Sequence, residues 1–161
     1  MIDEINKILT PEEIENIESK GITLNSELLD PKVDIVFKAM LTSKCPESKK
    51  ALIHFLSSML QRNVTEATVL NNELANTGIF QKQSVFDIHV GFDEGDEANV
   101  EMQMELTDDL TNRSEYNTAK LFGSQDIKGK DYTELKKAYT IIIMNFTLFK
   151  EHPYFYDEYV L

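Results

Sequence analysis

The chain has 161 residues, 42% hydrophobic and 27% charged, a globular balance long enough for one domain with a real core. A formal net charge of −12 argues against a broad basic footprint for nucleic acid. One cysteine, Cys45, allows no intramolecular disulfide, and Met1-Ile2-Asp3-Glu4 lacks the basic start and apolar run of a signal peptide. Residues 1–30 hold eight acids against Lys7 and Lys20. Within them Thr10-Pro11-Glu12-Glu13 is a capping box with Pro at the first helical position, followed by Ile14 and Ile17 and ended by Gly21. Residues 1–29 therefore read as an acidic helical extension.

Asp30-Pro31 is expected to open a second helix, with Val33, Phe37, Met40 and Leu41 at helical spacing. Pro46 starts a third, where Ala51, Leu52, Phe55, Leu56, Met59 and Leu60 make a wide apolar stripe ending near Asn63. That stripe is a core face, not a cofactor groove. Residues 64–70 read as a strand. Two more strands follow by period-two alternation. Phe86, Ile88, Val90 and Phe92 alternate with Val85, Asp87, His89 and Gly91; Val100, Met102 and Met104 alternate with Asn99, Glu101, Gln103 and Glu105. Both read as half-buried strands joined by an acidic loop.

The register of this hairpin follows from its loop. A three-residue loop Asp93-Glu94-Gly95, with Gly95 left-handed, pairs Phe92 with Asp96. Val90 then faces Ala98, Ile88 faces Val100 and Phe86 faces Met102, so the apolar faces coincide. A one-residue slip would turn one apolar set outward. The same register sets Asp87 opposite Glu101, and Gln103 opposite Val85. Like charges so placed are destabilising. A shared divalent cation gives them a reason, since Mg²⁺ takes oxygen ligands at about 2.0–2.1 Å and often only one or two protein carboxylates. The plainer reading is a solvated acidic face with cations on the next strand.

Asp108 or Asp109 is expected to cap a polar helix containing Arg113, Tyr116, Ala119, Lys120, Leu121 and Phe122, stopping by Gly129. Residues 139–144, Tyr139-Thr140-Ile141-Ile142-Ile143-Met144, read as a buried central strand. This longest apolar run is far too short to span a bilayer, so a soluble, cytoplasmic protein is expected. The aromatic tail from Tyr154 to Leu161 reads as the start of a strand and suggests a fragment cut before its natural end; the alternative is a tail docked as a finished edge. From Pro46 the order is α-β-β-β-α-β, and the fold class is α/β, a mixed sheet flanked by helices.

That order, with Asp87 on the second strand and Glu101-x-Gln103 on the third, resembles the restriction-endonuclease-like core of the PD-(D/E)XK nuclease superfamily. More narrowly it resembles the PD-(D/E)XK nuclease-family transposases, also called the recombination-promoting nuclease family. The matching stretches are Lys32-Val33-Asp34-Ile35-Val36-Phe37-Lys38, the Asp87 strand, Val100-Glu101-Met102-Gln103, Arg113-Ser114-Glu115-Tyr116-Asn117-Thr118-Ala119-Lys120 and Gly129-Lys130-Asp131-Tyr132. The resemblance implies a nuclease-like domain over residues 30–161, truncated at its C-terminus, that hydrolyses DNA phosphodiesters in transposition, recombination or defence. It also implies Mg²⁺, with Mn²⁺ as substitute, held by Asp87 and Glu101. The third-strand lysine of the superfamily pattern is Gln103 here, as across the subfamily; Gln103 can hydrogen-bond a water or phosphate but brings no charge. Lys82 and Lys120 are the candidates to supply it.

Other residues have plain readings beside functional ones. Glu73 is a loop acid or an extra ligand. Asp34 and Lys38 form an i,i+4 ion pair or border the site. Arg113 and Tyr116 contact phosphate or a base, or pack on the sheet. His89 lies on the Asp87 face as a possible supporting donor; His54, His152 and Cys45 have no catalytic pattern. There is no P-loop, dinucleotide fingerprint or zinc spacing. Double-strand cutting would call for a homodimer. The competing hypotheses are a catalytically degenerate protein-interaction module with an acidic face for a basic partner, and a phosphohydrolase of small phosphate esters.

Overall fold

A computed structural model describes residues 30–70, 87–129, 131–152 and 154–160, together with Pro11, Glu12, Glu15 and Ser19. Those four isolated residues are helical and exposed; the remainder of the N-terminal capping box lies outside the described residues. The chain divides into two compact units, Met1–Thr68 and Val69–Leu161. Among the described residues no helix is long and apolar enough to cross a membrane.

The first unit carries α1 (Asp34–Thr42) and α2 (Pro46–Met59). Asp30-Pro31 makes a turn rather than the start of α1. The Asp30 carboxylate accepts from the Lys32 N–H at 2.9 Å and its carbonyl from the Val33 N–H at 3.1 Å, so the helix begins four residues later. Pro46 opens α2 as expected, and Cys45 caps it through an Sγ that accepts from the Ser48 N–H at 3.5 Å. Val36, Phe37, Leu52 and Leu56 are buried, and the Phe37 and Phe55 rings meet edge-on at 6.4 Å.

The four strands run β1 (Ala67–Val69), β2 (Ile88–Phe92), β3 (Asp96–Gln103) and β4 (Ala138–Met144), in the spatial order β1-β2-β3-β4. The β2–β3 pair is antiparallel, β3–β4 parallel. With α3 (Leu110–Gly123) between β3 and β4, the expected α-β-β-β-α-β order and mixed sheet are observed. A 3₁₀ turn, Tyr132–Glu134, leads into β4. There Asp131 is held below the ordinary carboxylate pKa by the backbone N–H of Thr133 and then by its hydroxyl.

The hairpin register is the expected one: Phe92 pairs with Asp96, Val90 with Ala98 and Ile88 with Val100. Gly95 has φ +106°, and Asp93 also turns left-handed at +46°. A Cβ at Gly95 would meet Lys136 Cγ at 3.5 Å, an ordinary contact, so the constraint there is conformational rather than steric. Gly95→Ala should cost on the order of 1 kcal/mol, read as a shifted denaturation midpoint. An unshifted midpoint would mean that the loop relaxes to another turn.

Two expectations need correction. The β2–β3 hairpin is buried on both faces rather than half-buried, because His89, Asn99 and Glu101 are buried along with Ile88, Val90 and Val100. A helix covers the β4 side of the polar face, and Leu70 lies against Gly91 on the β2 side. Leu121 of α3 packs on Ala138, and the Thr118 and Thr140 hydroxyls share a hydrogen bond of 2.6 Å. Thr140 is the register partner of Asn99, so α3 lies over the face that carries Asn99 and Glu101. The second correction concerns β4. Among the described residues it ends the sheet, pairs with β3 and is half-buried throughout, rather than central. Its apolar run reflects two partly covered faces, Tyr139 meeting Phe92 at 5.9 Å on one and α3 lying on the other.

The described part of the aromatic tail forms no strand. It closes on itself instead, with Phe149 against His152 at 5.7 Å and Tyr159 at 5.2 Å, and His152 paired with Asp157 at 2.9 Å.

Candidate active site

The candidate face is built by parity. On β3, Glu97, Asn99, Glu101 and Gln103 share one side of the pleat; on β2, His89 and Gly91 share it through the register. Asp87 stands at the bend entering β2, half-buried, one step beyond the Ile88–Val100 pair. Continued by that step, the register would set Asp87 opposite Glu101. Opposed Cβ atoms in such a position lie roughly 4.5–5.5 Å apart.

Glu101 is 7% exposed, and its Oε1 accepts from the Asn99 Nδ2 at 2.5 Å. Asn99 is fully buried, and the carboxylate it serves fixes which end of its amide is nitrogen. The other end, Oδ1, has no partner among the described residues. Asn99 was not singled out from the sequence, although it lies two residues before Glu101 on the same face. That spacing was the available signal.

His89 is buried, and its Nε2 lies 2.7 Å from Glu97 Oε2. It therefore stands on the Asp87 face as expected and is engaged by Glu97. Gln103 accepts through Oε1 from Arg113 Nη2 at 3.0 Å and donates through Nε2 to the Glu105 carbonyl at 2.8 Å. Of the two expected alternatives for Arg113, contact with the sheet is thus observed, at the one polar position where the superfamily pattern has its lysine. Lys120 lies over the Tyr116 ring at 5.9 Å. Lys82 and Glu73 lie outside the described residues. Asp34 and Lys38 form the expected i,i+4 pair at 3.0 Å.

Comparison with known families gives one finding. A family model described as PD-(D/E)XK nuclease family transposase matches residues 31–161. The chain belongs to that family. No curated protein and no solved structure matches it. Membership in the PD-(D/E)XK family accords with the mixed four-stranded sheet, its α-β-β-β-α-β order and a nuclease-like role.

Nucleases of this family usually work with divalent metals, so the fit of the residues matters. Among the described residues no three His, Cys, Asp or Glu side chains converge as a metal cluster. The face does offer hard oxygen donors: the carboxylates of Asp87 and Glu101, with the unpartnered Asn99 Oδ1 as one more buried acceptor. A hard cation that keeps several waters and takes few protein carboxylates suits this set. A site for a soft metal held by thiolates and imidazoles is a poor match to the same donors.

Proposed function

We propose that this protein is a metal-dependent DNA endonuclease of the PD-(D/E)XK class, acting in transposition, recombination or defence. The observation that carries the proposal is the hairpin register: Glu101 and Gln103 share one face of β3, and the register continued one step beyond Ile88–Val100 would set Asp87 beside them. Asp87 and Glu101 would hold Mg²⁺, or Mn²⁺ in its place. Bound there, the metal would polarise a phosphoryl oxygen and lower the pKa of a coordinated water.

The chain's own residues have separate tasks. Asn99 orients Glu101 by holding one of its oxygens, leaving the other for the metal. Burial of Glu101 beneath α3 lowers the local dielectric and strengthens its attraction for a cation. Residues 30–161 would form the catalytic domain and residues 1–29 an acidic extension outside it. Breaking both strands takes two such sites, which a cytoplasmic homodimer would supply.

Calorimetric titration with Mn²⁺ tests the reading. Wild-type protein should bind saturably, Asp87→Asn should not, and metal-dependent DNA cleavage should disappear in the same variant. No saturable binding at millimolar metal would leave an acidic face suited to a basic partner. Cleavage of nucleotides but not of DNA would instead indicate a small-ester phosphohydrolase.

A further inference from the structure

We propose that Arg113 supplies the positive charge missing at the third-strand position, and that Gln103 is its positioning residue. This rests on the nuclease reading and deepens it. The Gln103 amide is engaged at both ends, by Arg113 at 3.0 Å and by the Glu105 carbonyl at 2.8 Å. A side chain held at both ends is poorly placed to orient a water, and it carries no charge. The guanidinium it holds does carry charge.

Three observations favour Arg113. First, residues 83–112 contain nine acids and no Lys or Arg, so Arg113 is the first cation the chain offers after the site strands. Second, its helix is anchored. Leu110, Asn117 and Leu121 are buried along one side of α3, and Thr118 is tied to Thr140 of β4. Third, the Gln103 bond uses one guanidinium nitrogen, and no other side chain among the described residues engages the group. The remaining N–H donors form the planar fork that suits phosphate oxygens.

Position agrees with this role. Gln103 lies two residues past Glu101 on the same face, about 6.6 Å along the strand. A phosphodiester at the Glu101 carboxylate is therefore close to the fork. Lys120 is a poorer source, because it lies seven residues further along α3, about 10.5 Å in axial distance, and rests over Tyr116.

In hydrolysis, the oxygen of water bonds to phosphorus and the ester P–O bond breaks. The attacking water loses one proton to solvent, and the leaving oxygen gains one from solvent. Negative charge gathers on the non-bridging oxygens as this happens. Arg113, already in place, would meet it without further reorganisation.

The test compares Arg113→Ala, Gln103→Ala, their double variant, and Gln103→Lys in the Arg113→Ala background. Each is assayed for single-turnover DNA cleavage, Mn²⁺ binding and thermal unfolding. Arg113→Ala should cleave about 10²–10³-fold more slowly, with Mn²⁺ affinity kept. The double variant should be no slower than Arg113→Ala, because Gln103 acts through the arginine. Gln103→Lys in that background should recover at least about tenfold, which a merely structural arginine would not allow. Wild-type rates in Arg113→Ala, multiplying losses in the double variant, or no recovery with lysine would each overturn this inference alone. Absence of cleavage by the wild type would overturn the nuclease reading and this inference together.

Discussion

Glu101→Gln is expected to reduce metal-dependent DNA cleavage by about 10³-fold or more while leaving the metal-free protein at least as stable as the wild type. The first effect follows from the proposed role. Exchange of a carboxylate for an amide removes the charge that attracts the cation, and metal stabilisation of the developing phosphoryl charge is worth several kcal/mol. The second follows from surroundings. Glu101 is 7% exposed, its partner among the described residues is the neutral Asn99 amide, and the register continued one step past Ile88–Val100 would set the Asp87 carboxylate opposite it. A buried charge with no opposite charge beside it is costly. Glutamine keeps an acceptor for Asn99 Nδ2 at nearly the same volume and removes that cost.

The two effects together separate a functional carboxylate from a structural one. Chemical denaturation without metal should give an equal or higher midpoint for Glu101→Gln. Added Mn²⁺ should raise the midpoint of the wild type and not of the variant, as expected for a ligand that binds the native state. A loss of stability of more than about 1 kcal/mol would instead show the carboxylate to be a structural acceptor whose loss leaves donors unpaired. Cleavage unchanged in the variant would remove Glu101 from the site altogether.

How much of this was legible in the sequence depended on how local the determinant was. The hairpin was legible to the residue from Ile88–Val100 to Phe92–Asp96, the expected pairs of Val85 and Phe86 lying outside the described residues. Alternation fixes which side chains share a face, and Gly95 fixes the loop, so the pairing of Ile88 with Val100 followed. The position of β4 was not legible, because a β-branched apolar run says how much a strand is covered and nothing about its neighbours. Burial of the polar face was missed for a related reason. Part of its cover is a helix that meets the sheet through polar Arg113 and Thr118 as well as Leu121, and the polar pair read as a solvated side until partnered with Gln103 and Thr140. At Asp30-Pro31 both a helix start and a turn satisfy the same residues, and the Asp30 side chain decided for the turn. The superfamily pattern points to a lysine as the compensating cation, whereas the cation that touches Gln103 is an arginine.

Leu121→Ala should destabilise the protein by about 2–5 kcal/mol and lower cleavage beyond what that loss of stability explains. Leu121 is fully buried and packs on Ala138 at the start of β4. Truncation removes the apolar surface it buries and leaves a cavity that a helix resting on a pleated strand fills poorly. Against a typical total of about 5–15 kcal/mol for a domain, such a loss is large. The functional part of the prediction comes from position along α3. Arg113 sits two turns before Leu121 on the same helix, so loosening the contact with β4 loosens the base from which the guanidinium reaches Gln103. Leu56→Ala is the matched control. Leu56 is also fully buried, but on α2, and its loss should cost a similar amount while leaving the Leu121–Ala138 and Thr118–Thr140 contacts of α3 in place. Cleavage per folded molecule, measured well below both melting temperatures, should fall in Leu121→Ala and hold in Leu56→Ala. Equal rates in the two variants would mean that Leu110 and the Thr118–Thr140 bond suffice to keep α3 seated, and that the arginine's position is set at the N-terminal half of the helix alone.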